Sequence, residues 1–204
     1  CLFSLVGCTK NYKYPEIQAN EKILVIGDDF TLGAGASQSF SYPFVLSRQI
    51  NRTVVNHSKR GLTASELSKF ANSKILSEEY KLVIIMVGYQ DMSRGQDLKY
   101  SAMGFHDTLQ ILRQKNIPVL VVSMNVPPKT DINPMYIDLA AAYENVILDT
   151  TIFRDVIANK NNISGPGELN ADGYREIAEN VEARLRKDGW IRNWTGTNNG
   201  HALY

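Results

Sequence analysis

Apolar residues along this chain fall into short, nearly unbroken runs, and stretches of helical period separate them. The runs Ile23–Gly27, Thr53–Asn56, Leu82–Val87, Val119–Met124 and Val146–Leu148 predict strands. Several are apolar at almost every position, as strands covered on both faces should be. Helices are predicted over Tyr42–Ile50, Ala64–Leu76, Ser101–Lys115, Pro134–Tyr143, Thr151–Ala158 and Asn170–Lys187. In the last of these, Tyr174, Ile177, Ala178, Val181 and Leu185 share one face. Thr63 followed three residues later by Glu66 is a capping-box pattern. Strands alternating with amphipathic helices predict an α/β protein, a three-layer doubly wound (flavodoxin-like) sandwich on a five-stranded parallel sheet. Ligands of such folds bind at the carboxyl ends of the strands.

Composition narrows the function without choosing it. The length of 204 residues suits one domain, and a net charge of +1 gives no electrostatic case for nucleic acid. The two cysteines, Cys1 and Cys8, form no disulfide framework and no Cys-rich metal site. The opening "CLFSLVGCTK" resembles the end of a bacterial lipoprotein signal, with "LVGC" as its lipobox. That resemblance implies cleavage before Cys8 and acyl chains on its thiol, a membrane anchor. In a Gram-negative cell, Thr9 rather than Asp after the cysteine would favour the outer membrane, facing the periplasm. The chain then divides into a signal end (1–8), a polar linker (9–21), one domain (22–190) and a tail (191–204).

Polar, glycine-bearing turns follow three of the strands. They are "GDDFTLGAG" from Gly27, "NHSKRGLTASE" from Asn56 and "VGYQDMSRG" from Val87. A fourth polar loop, "NISGPGELNADGY", leads into the last helix. Together these blocks resemble the SGNH (GDSL-type) hydrolases, in particular the thioesterase I and lysophospholipase-like branch. Gly27, Asp28, Thr31, Gly33 and Gly35 fit the first block, and Asn56 and Gly61 the second. Gly88, Asp91, Arg94 and Gly95 fit the third, and Asn170, Gly173 and Tyr174 the last. "VVSMNVPP" resembles the strand and proline turn of the same branch.

The resemblance places the nucleophilic serine at Asp29, the oxyanion-hole donors at Gly61 and Gln90, and the triad Asp and His at Gly165 and Glu168. Of these only Gly61 matches. Serine-type acyl transfer needs a hydroxyl, an imidazole to deprotonate it, and donors for the developing oxyanion. Asp29 offers no hydroxyl, and Gly165 carries no side chain to orient Glu168. Asp28 and Asp91 are expected to hold the turns by hydrogen bonds.

If Asp29 and Glu168 face each other, their charges need a resolution. A bridging Ca²⁺ or Mg²⁺, a shared proton in an acid–base pair, or a contact from Lys59 or Arg60 would each supply one. A contact from Arg60 or Lys59 to Asp29 or Glu168 is the hypothesis, against the plainer reading that both basic residues are solvated loop charges; no metal and no cofactor are expected. His57, at the end of the second strand, is a further candidate for the binding residues, and Ser58 beside it for a nucleophile. The functional expectation is a lipid-anchored binding or scaffolding module that has lost serine-esterase activity, with a small ligand or an envelope component as its partner. The alternatives are an active GDSL-like ester hydrolase, a carboxylate-based hydrolase using Asp29 and Glu168, and a purely structural envelope lipoprotein.

Overall fold

The computed structural model describes residues 13–125 and 131–192. Cys8 and the end of the tail, with its His201, lie outside the described residues, as does the proline turn of "VVSMNVPP". Five parallel strands form the sheet: β1 (Lys22–Gly27), β2 (Thr53–Ser58), β3 (Leu82–Met86), β4 (Val119–Val122) and β5 (Val146–Asp149). Their order is β2-β1-β3-β4-β5. All five expected strands are present, and the doubly wound arrangement with them.

Period-2 alternation divides the apolar side chains of the sheet between two cores. Ile23, Val25, Leu82, Ile84 and Met86 face one way, and Leu24, Ile26, Val83 and Ile85 the other. On the first face lie α2 (Tyr42–Ile50), α7 (Ile152–Ala158) and α8 (Ala171–Asp188). On the second lie α3 (Leu67–Ser77), α5 (Leu98–Gln114) and α6 (Pro134–Ala142). Two short helices, α1 (Asp29–Leu32) and α4 (Tyr89–Ser93), start directly after β1 and β3.

Boundaries moved where local chemistry outweighs periodicity. Helix α5 begins three residues before the expected Ser101, because Asp97 caps it by accepting from Lys99 N. The capping box of Thr63 and Glu66 is present, but the turn it opens, Ala64–Glu66, is a 3₁₀ turn ahead of α3. The fourth polar loop is not irregular throughout. It folds into a two-stranded antiparallel hairpin of β6 (Ile163–Gly165) and β7 (Glu168–Leu169). Its turn is Pro166-Gly167, with Gly167 at φ +73°, an order that suits a type II turn.

The second half of the expected linker is docked on the domain. Ile17 is buried and donates its N–H to the Trp190 carbonyl, and Tyr14 stacks on the Trp190 ring at 4.4 Å. Arg52 Nε holds the Ile17 carbonyl at 2.8 Å. Tyr14 and Ile17 supply apolar surface that a freely solvated linker would leave in water. Among the described residues no helix is long and apolar enough to cross a membrane.

Candidate active site

The strand order reverses at β1, whose neighbours β2 and β3 are reached by crossovers on opposite sides. The crevice opens beyond the carboxyl ends of β1 and β3. Asp28 and Asp29 follow β1 there, and Tyr89 and Gln90 follow β3.

These two adjacent carboxylates receive different surroundings. Asp28 caps α1, its Oδ1 accepting from Phe30 N at 3.1 Å, while Oδ2 has no partner among the described residues. Burial pushes its carboxyl up to about 8, against the pull of the Phe30 N–H, and the Asp29 charge adds to the rise. Asp28 therefore holds a proton through the neutral range.

Asp29 lies one residue on, at the first position of α1, and is held from three directions. Its Oδ2 accepts from Gly61 N at 2.7 Å and from Gln90 Nε2 at 3.0 Å. Its Oδ1 lies 3.3 Å from Arg60 Nη1. Gly61 adopts φ +68°, the left-handed turn in the "KRG" segment that follows β2. The Arg94 guanidinium also stands beside this turn, its Nη2 3.5 Å from where a Cβ on Gly61 would lie.

The third block is fixed from beneath by Asp91, as expected of it. Its Oδ2 accepts from Ala64 N at 2.7 Å and its Oδ1 from Ser101 Oγ at 2.6 Å. The second block is tied to the first by Asn56 Nδ2, which donates to the Thr31 carbonyl. The loops that carry Gly61, Gln90 and Asp29 are thus braced on one another.

A cavity of about 310 Å³ opens over this cluster, lined by Asp29, Arg60, Tyr89, Gln90, the Pro166-Gly167 turn and Glu168. Tyr89 forms a fixed wall, its ring edge-on to Phe30 at 4.8 Å. The Glu168 side chain is exposed on the hairpin and makes no hydrogen bond or ion pair among the described residues. Gly165 adjoins it, since a Cβ there would stand in ordinary van der Waals contact with Glu168 Oε2 at 3.6 Å. Among the described residues no three His, Cys, Asp or Glu side chains gather as a metal site.

Asp29, Gly61, Gln90, Arg60 and Glu168 therefore meet at one place, with Gly165 at its edge. Two expected binding residues do not join them. His57 follows Asn56 in β2, so its side chain leaves by the opposite face of the sheet. There it stacks on Phe70 at 4.2 Å, with Nε2 against the Phe70 carbonyl. Lys59 turns to Glu66, 3.8 Å away, because the capping carboxylate is its near neighbour. Gln90 also differs from its expected standing as a loss. One methylene longer than the family's asparagine, it still brings a carboxamide N–H to residue 29. Sequence reasoning did not single out Tyr89 or the Pro166-Gly167 turn. The available signal was their adjacency to Gln90 and Glu168.

A three-layer sheet with its site at this crevice, formed by the turns after β1, β2 and β3 and by the loop before α8, defines the SGNH class of hydrolase fold. The model of the GDSL-like Lipase/Acylhydrolase family matches residues 23–187, and the chain belongs to that family. Among solved structures, TesA superimposes with a TM-score of 0.75 at 21% identity, covering 81% of this chain and 98% of its own. The psychrotrophic esterase EstA from Pseudoalteromonas sp. does so with a TM-score of 0.71 at 15% identity, over 82% and 98%. AlinE4, an SGNH-hydrolase family esterase, gives 0.64 at 22% identity, over 84% and 98%. At these identities the likeness is one of fold. No curated protein matches the chain.

Proposed function

We propose that this protein is a ligand-binding module on a hydrolase scaffold, with no serine-esterase activity. The observation that carries the reading is the position of the Asp29 carboxylate. Its Oδ2 takes both donors, Gly61 N and Gln90 Nε2, that the family resemblance assigns to the oxyanion hole. Those donors accelerate acyl transfer only when the transition-state oxygen can reach them. Here a resident carboxylate oxygen holds them and adds negative charge where the reaction would develop more. The nucleophile position has no hydroxyl, and Glu168 stands in the histidine position with no side chain at residue 165 to orient it. Loss of one triad member costs orders of magnitude in rate, and three positions differ here.

The cavity over Asp29 remains open to a small ligand. In this reading Cys8 carries the lipid anchor, and the domain faces the periplasm from the outer membrane. Palmitate incorporation that Cys8→Ser abolishes is the expected result for the anchor. Incorporation unchanged in that variant would contradict it.

The experiment on the site is hydrolysis of p-nitrophenyl acetate, with fluorophosphonate labelling in parallel. The expected outcome is neither labelling nor turnover above the uncatalysed rate. A labelled serine would overturn the reading in favour of an esterase. Both side chains of a carboxylate pair line the cavity, so saturable turnover lost in Asp29→Ala and in Glu168→Gln would instead make the protein a carboxylate-based hydrolase.

A further inference from the structure

The charges around the cavity are unequally satisfied. Asp29 is spent, with two hydrogen bonds and an ion pair. Arg60 gives Nη1 to Asp29, while its side chain remains 71% exposed and makes no other ion pair or hydrogen bond among the described residues. The Glu168 side chain, on the facing hairpin, is exposed and makes no hydrogen bond or ion pair among the described residues. Arg60 and Glu168 both line the cavity, yet they do not pair with each other. Tyr89 stands in the same cavity, its ring backed by Phe30 and Phe153.

Resting on the binding-module reading, we propose that this cavity takes a small zwitterion, a ligand with an ammonium group and a carboxylate a few bonds apart. The ammonium meets Glu168, and the aromatic wall of Tyr89 adds to its attraction. The ligand carboxylate meets the outer edge of the Arg60 guanidinium, whose planar fork suits a second carboxylate beside Asp29. Asp29 does not compete for the ammonium, because Gly61 N, Gln90 Nε2 and Arg60 already hold it. A neutral acyl ester, by contrast, would leave Glu168 and the edge of Arg60 unanswered.

The test is calorimetric titration of the full chain with alanyl-alanine, N-acetyl-alanyl-alanine and alanyl-alanine amide. The expected result is binding of the free dipeptide, weakened about tenfold or more by capping either end, the scale of one charge-assisted contact. Glu168→Gln is expected to weaken the free dipeptide and leave the N-acetylated form unchanged. Arg60→Gln is expected to do the reverse for the C-terminal amide, weakening the free dipeptide and leaving the amide unchanged. Equal binding of free and capped dipeptides, or no binding of any of them, would overturn the assignment. Circular dichroism confirms that each variant is folded, and both substitutions are on exposed side chains. Failure of the zwitterion alone leaves the ester assay silent. Failure of the binding-module reading appears as ester turnover, whichever dipeptide binds.

Discussion

Two layers of one turn, the sealed floor at Asp28 and the open mouth at Asp29, treat the same functional group in opposite ways. At the floor, burial leaves one carboxyl oxygen unpartnered, and the group answers by keeping its proton, up to about pH 8. At the mouth, two N–H donors and a guanidinium converge on the neighbouring carboxylate. The difference does not lie in residue type or in sequence position, since the two are adjacent. It lies in which side of the α1 entrance each side chain leaves. A fully buried acid with a single N–H donor becomes neutral, whereas the neighbouring carboxylate is met by several donors where it stands. The donors at the mouth belong to a scaffold whose relatives are lipases and acylhydrolases. Asp29 takes those donors for its own side chain.

The largest expected effect comes from breaking the floor. Asp28 is protonated in the folded chain and ionised in the unfolded one between pH 4 and about 8. The unfolded state therefore binds fewer protons, and stability falls as pH rises across that window, by on the order of 1 kcal/mol per pH unit at most. Above about pH 8 this contribution levels off. Asp28→Asn keeps the acceptor for Phe30 N and cannot ionise. Urea denaturation from pH 4 to 9 should show the decline in the wild type and a flatter profile in the variant. An unchanged profile would place the decline elsewhere.

At the mouth the effect is smaller. Asp29→Ala removes the acceptor of two N–H groups close to solvent, and the expected loss is about 1–2 kcal/mol in urea denaturation. A stability gain on this substitution would mean that the carboxylate is strained rather than held. Smallest is Arg60→Ala. Its guanidinium is largely in water, so the loss should be at most about 0.5 kcal/mol and should shrink further in 1 M salt. A larger loss, insensitive to salt, would mean that Arg60 packs rather than pairs.

The sheet was legible because β1, β3 and β4 are covered on both faces and so read as unbroken apolar runs. The hairpin of β6 and β7 was not, because strands of three and two residues carry no period to detect. The linker looked free because its apolar residues, Tyr14 and Ile17, are sparse, and only the tertiary contact with Trp190 gives them a place. The resemblance brought Asp29, Gly61, Gln90, Gly165 and Glu168 into one frame. What it could not supply was direction. Strand alternation sends His57 away from the site although it follows Asn56, and the capping box draws Lys59 to Glu66 although it precedes Arg60. Gln90 looked like a loss because residue identity was compared, whereas the structure compares the reach of an amide.

The Gly61 amide reports directly on whether the Asp29 carboxylate occupies the two donors that the family resemblance assigns to the oxyanion hole. In a ¹H–¹⁵N correlation spectrum, a short hydrogen bond to a carboxylate moves an amide proton downfield. A downfield Gly61 resonance is expected in the wild type, moving strongly upfield in Asp29→Ala while amides on the far face of the sheet stay in place. A Gly61 resonance that is unchanged by Asp29→Ala would contradict that occupancy, and would leave the donor free for a reacting oxygen.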